Sequence, residues 1–235
     1  MKILLLPGLD GTGKLFATFI EALSASLDAE IISYPDDKKL CYNELVDLVL
    51  SQLPKQEFVL LAESFSGPIA YEVAVRNPNN LKLVVFVASF LTSPRPMPLA
   101  LINWLPWRHL KLMPLPKFII KSILLGSNAS DDLIATFKRT IKQMPPELIS
   151  YRFCEIAKLS QPLTASEVSS VYIQASEDKL VPKSCLGAFE NTMADIRVAK
   201  VFGPHFLLRA EPVACVETVV NEIHRLKIDT DGSSR

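Results

Sequence analysis

The sequence predicts an α/β fold in which helices cover both faces of a parallel sheet. Three observations carry that expectation: short, nearly continuous apolar runs; amphipathic stretches alternating with them; and Gly, Pro and Asn at the junctions. Lys2 to Leu6 reads as the first strand, followed by a Gly-rich turn and an amphipathic stretch from about Gly13 to Leu27. Glu30 to Ser33 reads as a short strand, and Leu45, Leu48, Val49 and Leu53 give 42–53 a helical period. Phe58 to Ala62 is a strand, and 67–77 a helix that stops at Asn77-Pro78. Leu81 to Ala88 (LKLVVFVA) is the most strand-like run of the chain. The alternation resumes with a strand at 170–175, a helix at 182–193, a strand at 197–202 and a helix at 212–226. The tail DTDGSSR is expected to fray.

With 235 residues and 49% hydrophobic content, the chain can bury one sizeable core, and a single domain over 1–235 is the expectation. Its 25 basic and 25 acidic residues cancel, so the molecule carries no charge signature of a nucleic-acid binder. The four cysteines (Cys41, Cys154, Cys185, Cys215) are far apart and form no CxxC pair, which argues for reduced thiols and no metal site. The opening MKILLLPGLDG runs into Pro-Gly too soon for a signal peptide. No stretch approaches the roughly 18 apolar residues of a membrane span. A soluble, cytoplasmic protein is expected.

Residues about 93–165 break the rhythm. Six of the 17 prolines lie between Pro94 and Pro116, interleaved with bulky residues such as Leu101, Trp104, Trp107 and Met113. Helices are predicted at 118–125, 131–144 and 147–159. An insertion between two strands of a parallel sheet sits above the strand ends, where ligands bind, so the segment is a cap candidate. Between Glu72 and Asp131 there is no acid, while Arg76, Lys82, Arg95, Arg108, Lys111, Lys117 and Lys121 are all basic. Such a surface could draw in an anionic acyl donor, such as acyl-CoA or acyl carrier protein. The plainer alternative is a solvated basic face.

The chemistry is expected around LLAESFSGPIA, residues 60–70. Ser64 falls where a buried strand turns into a helix, with small residues two before (Ala62) and two after (Ser66). That is a softened G-x-S-x-G, the spacing of a sharp turn that lifts a serine hydroxyl out of the sheet. A hydroxyl needs a base. Of the three histidines, His205 follows the predicted last strand on the same sheet edge, whereas His109 lies in the insertion and His224 inside the last helix. A histidine base needs an acceptor on its other nitrogen. Asp178, after the penultimate strand, fits better than its neighbour Glu177. Oxyanion donors are expected from the Phe65 amide and from the turn LPGLDGTG, at Leu9 with Asp10 as the alternative. That turn lacks both phosphate-loop spacings.

Turn, elbow, acid and histidine in the order Ser, Asp, His resemble an α/β-hydrolase of the Ser-Asp-His type over residues about 2–226. The spellings LPGLDGTG and ESFSG are also similar to the hydrolase-like portion of plant plastid phytyl ester synthases and related bacterial esterases and thioesterases. Two features depart from the pattern: Pro7 stands where a histidine often precedes the oxyanion glycine, and both elbow glycines are replaced. The resemblance implies six mainly parallel strands in the order 2-1-3-4-5-6, without the usual leading hairpin. It also implies a cofactor-free esterase or thioesterase acting on an apolar acyl group through Ser64, Asp178 and His205. An acyltransferase using the same acyl-enzyme, or a binding protein on the same fold, are the alternatives.

Overall fold

The computed structural model describes residues 1–23, 27–94, 116–127 and 129–232. Its sheet contains β1 (Lys2–Leu6), β2 (Asp28–Ile31), β3 (Phe58–Glu63), β4 (Leu81–Val87), β5 (Ser170–Ala175) and β6 (Ile196–Val201). Their spatial order is β2-β1-β3-β4-β5-β6 and every neighbouring pair is parallel. The expected order holds, and the sheet is parallel throughout.

Why these runs form a sheet follows from side-chain alternation. Along β1, Leu4 and Leu6 point to one face, where they meet Leu45 and Val49 of α2 (Tyr42–Ser51) and Ile69 and Val73 of α3 (Gly67–Val75). Ile3 and Leu5 point to the other face, against Phe19 of α1 (Ala17–Ala22) and Val219 and Ile223 of the C-terminal helix (Pro212–Gly232). Burial on both faces explains why these strands read as unbroken apolar runs. Each fully buried Leu, Ile, Val or Phe side chain contributes about 1.5–3 kcal/mol.

The edge strands are where expectation and structure differ. β2 begins two residues earlier than its apolar content indicates, because pairing with β1 sets Lys2 opposite Asp28. On that edge the Lys2 ammonium is ion-paired with Glu30 and lies 3.9 Å from Asp28. The region expected as one helix over 182–193 is a 3-10 turn (Lys183–Cys185) followed by a helix at Leu186–Glu190. The C-terminal helix extends to Gly232, beyond its expected end at 226, since no proline or glycine interrupts it before that point.

Between β4 and β5 stand a helical segment at 117–125, α4 (Asp131–Gln143) and α5 (Pro146–Lys158). Ser130 caps α4 by accepting from the Leu133 amide at 3.2 Å, and Pro146 opens α5. Leu133, Ile134 and Phe137 of α4 pack with Ile120 and Leu125 into a separate small core that includes Leu15 of the main body. The expected segment of Trp104, Trp107, Arg95, Arg108, His109 and Lys111 lies outside the described residues. Among the described residues, no helix is long and apolar enough to cross a membrane. All four cysteines carry thiols rather than disulfides, and burial pushes the Cys215 thiol up to about 12.

The topology positions the site. The chain leaves β1 toward β2, then crosses back to β3 on the other side of β1. The helices after β1 and β3 therefore cover opposite faces, and a crevice opens between their starts.

Candidate active site

At that crevice β3 ends in Glu63, and Ser64 follows with φ 49°, a left-handed conformation that is costly for a residue with a Cβ. A 3-10 turn over Ser64–Ser66 then feeds α3. The packing of this elbow explains its spelling. A Cβ at Gly67 would lie 2.0 Å from Ser89 Oγ and 2.8 Å from the Phe90 carbonyl oxygen, so only glycine fits there. Ser89 Oγ donates to the Ser64 carbonyl at 2.6 Å. Ser66, where a glycine is common, uses its hydroxyl to donate to the Pro7 carbonyl. Its one proton being committed, Ser66 accepts from the Tyr34 hydroxyl at 2.5 Å. The second small position thus ties the elbow to the turn after β1.

The other two expected side chains converge on the same point. Asp178 follows β5, where the Leu180 and Val181 amides donate to its Oδ1 at 2.8 and 2.9 Å. Its Oδ2 lies 2.7 Å from His205 Nδ1. A carboxylate accepts there, so Nδ1 carries the proton and Nε2 presents a lone pair. Ser64 Oγ stands 3.0 Å from that Nε2. His205 is 3% exposed, which keeps the pair out of bulk water. Glu177, the alternative acid, is exposed on the outside of the loop, and His224 is exposed on the C-terminal helix. A hydroxyl, imidazole and carboxylate in this order can move a proton off the hydroxyl and hold the resulting imidazolium.

These groups open into a cavity of ≈ 400 Å³. Leu9 and Phe65, the expected oxyanion residues, line it beside Ser64, together with Gly8 and Asp10. Its far wall comes from the insertion, through Leu124, Phe137, Ile141, Phe153 and Ile156. Apart from His205, Asp10 is the one ionisable group among the described residues of the wall. Such a wall suits an apolar group of modest size.

Two buried charged residues near this site escaped the sequence reading. Arg152 of α5 is 2% exposed and Glu63 is likewise 2% exposed. For Arg152 the signal was there: it sits one helical turn from Leu148 and Ile149 on the inward stripe. Glu63 ends a wholly apolar strand and carries no such periodic signal. Burial, foremost, and the Asp10 carboxylate push the Glu63 carboxyl up to about 8. The folded state therefore holds this proton after the unfolded chain has released it. Stability from that proton is fully present below the ordinary glutamate range near 4.5 and is lost as pH rises to about 8. Glu63→Gln is expected to be close to wild type in thermal stability at pH 5 and more stable at pH 8.5, by an amount on the order of a few kcal/mol. Melting curves of both proteins across that range test this; a gap that stays constant with pH would refute it.

A parallel sheet of this order, with the hydroxyl after β3, the carboxylate after β5 and the imidazole after β6, defines the α/β-hydrolase fold, and this chain has it. The enol-lactonase of Burkholderia xenovorans LB400 superposes with a TM-score of 0.78 at 14% identity, over 95% of this chain and 91% of that one. RedJ, a thioesterase from the prodiginine biosynthetic pathway of Streptomyces coelicolor, gives a TM-score of 0.66 at 15% identity, over 94% and 83%. In sequence, 93 residues are 28% identical to a pimeloyl-[acyl-carrier protein] methyl ester esterase of Proteus mirabilis (strain HI4320). That match spans only 37% of this chain and 36% of the relative. No family model matches the chain.

Proposed function

We propose that this chain is a serine hydrolase that cleaves an ester or thioester of an apolar acyl group through an acyl-enzyme. The observation that carries the reading is the chain Ser64 Oγ to His205 Nε2 at 3.0 Å and His205 Nδ1 to Asp178 at 2.7 Å, opening into an apolar cavity. His205 takes the Ser64 proton as Oγ attacks the carbonyl carbon, and Asp178 stabilises the imidazolium. The carbonyl oxygen becomes an oxyanion that accepts from the Leu9 and Phe65 amides, each worth about 10²–10³ in rate. As the tetrahedral intermediate collapses, the bond to the leaving alcohol or thiol breaks and His205 returns the proton to that group. Water then attacks the acyl-Ser64 ester with His205 again as base, releasing the acid and restoring the hydroxyl. The substrates in the names of the Proteus relative and RedJ, an ester and a thioester, agree with this chemistry.

The insertion acts in this reading as a cap that walls the acyl site. An anionic acyl donor, acyl-CoA or acyl carrier protein, would have to be drawn in by its outer part. Of the four cations described in the acid-free stretch, three face carboxylates from outside it: Arg76 with Asp47, Lys82 with Glu57 and Lys117 with Asp131. The remaining cations of the stretch are Lys121 and, outside the described residues, Arg95, Arg108 and Lys111, and donor recruitment is assigned in this reading to these four.

The test is a fluorophosphonate probe on the wild-type protein, followed by peptide mapping of the modified residue. The expected product is a phosphonylated Ser64. A probe carried by another residue, or ester turnover with no labelling, overturns the reading.

A further inference from the structure

We propose that Arg152 is a positioning residue for hydrolysis: from the insertion it holds the turn after β1 in the shape that stabilises the oxyanion. The inference rests on the reading above and assigns a role to a side chain outside the Ser-His-Asp chain. Arg152 Nη1 donates to the Leu9 carbonyl at 2.6 Å, and Nη2 to the Pro35 carbonyl at 3.4 Å. Its guanidinium lies 5.8 Å from the ring centre of Phe65 and 5.9 Å from that of Tyr34. One cation therefore touches both residues whose amides serve the oxyanion. The turn is shaped to receive it: a Cβ at Gly11, where φ is +71°, would lie 2.6 Å from Nη1.

Two physical effects follow. The first is geometric. The Gly11 amide bonds the Gly8 carbonyl at 3.0 Å and the Thr12 amide bonds Asp10 Oδ2 at 2.9 Å, so the turn is braced within itself. Arg152 anchors the Leu9 carbonyl from outside and so fixes the Leu9–Asp10 peptide plane, while the Gly8 carbonyl bond holds the adjoining plane that carries the Leu9 amide; together they restrict rotation about Leu9. A misplacement of about 1 Å at a reacting centre costs about a hundredfold. The second effect is electrostatic. Asp10 is 6% exposed and lines the cavity, so its negative charge opposes a second one forming on the substrate. The guanidinium offsets that charge. Because Phe153, Ile156 and Ala157 of the same helix line the cavity, the helix that meets the acyl group also carries the brace.

The expected signature is a loss in the transition state and not in substrate binding. Arg152→Met, assayed on a neutral p-nitrophenyl ester, is expected to lose about 10- to 100-fold in kcat with KM nearly unchanged. Affinity for an alkylboronic acid, which forms a tetrahedral adduct on Ser64, should fall in step with kcat. Arg152→Lys, which keeps the charge, should recover part of both, and Asp10→Asn should recover part of the Arg152→Met loss. The Lys variant and the Asp10→Asn pair keep the proposal open to refutation if Arg152→Met folds poorly in thermal melts. A rise in KM equal to the fall in kcat, a boronate affinity unchanged from wild type, or full activity in a folded Arg152→Met protein overturns it. A wild type that hydrolyses no ester and binds no boronate overturns the hydrolase reading itself, which separates the two failures.

Discussion

Ser64→Ala is expected to lower kcat on a p-nitrophenyl ester by about a millionfold and to abolish fluorophosphonate labelling. The hydroxyl is the only part of the side chain removed, so the fold has no reason to change. Ser64 Cβ remains, and with it the cost of placing a substituted residue at φ 49°. Ser64→Gly removes that cost as well. It is expected to be as inactive as Ser64→Ala but more stable, by about 1 kcal/mol. The two variants together separate chemistry from strain: activity lost in both, stability gained only with glycine. Turnover or labelling that survives in Ser64→Ala would place the nucleophile elsewhere.

The sequence made the central strands legible because a strand buried on both faces must be apolar throughout. β1 and β5 fall where their apolar runs do, and β3 and β4 differ from theirs by one residue. At the edge that logic fails, since β2 alternates between exposed and half-buried residues and its start is set by pairing with Lys2. The convergence of Ser64, Asp178 and His205 was legible from order and position: each follows a strand, so a parallel sheet brings all three to one edge. Distances were not legible, and neither was the bond by which Ser66, standing in place of the second elbow glycine, reaches the Pro7 carbonyl. Glu63 and Arg152 show a different limit. Whether a charged residue is buried depends on partners distant in sequence: Leu9 lies 143 residues from Arg152. A local pattern can place Arg152 on an inward stripe but cannot name the carbonyl it meets.

His205→Ala is expected to cost at least about a thousandfold in turnover, because both half-reactions lose their base. Asp178→Asn is the more informative change, and the structure says why it should cost comparably. The Leu180 and Val181 amides both donate to Oδ1, so an asparagine must keep its oxygen at that position. Its amide nitrogen then takes the place of Oδ2, 2.7 Å from His205 Nδ1. A donor facing Nδ1 forces the imidazole to accept there and to carry its proton on Nε2. That N–H points at Ser64 Oγ and cannot take a proton from it, which costs about 10⁴ when the rest of the geometry survives. Glu177→Gln, on the exposed side of the loop, should stay near wild type. The measurement is kcat/KM on one neutral ester for the three variants, with melting curves to establish folding. A larger loss in Glu177→Gln than in Asp178→Asn would mean that the hydrogen bond to Nδ1 is not the one that orients the base.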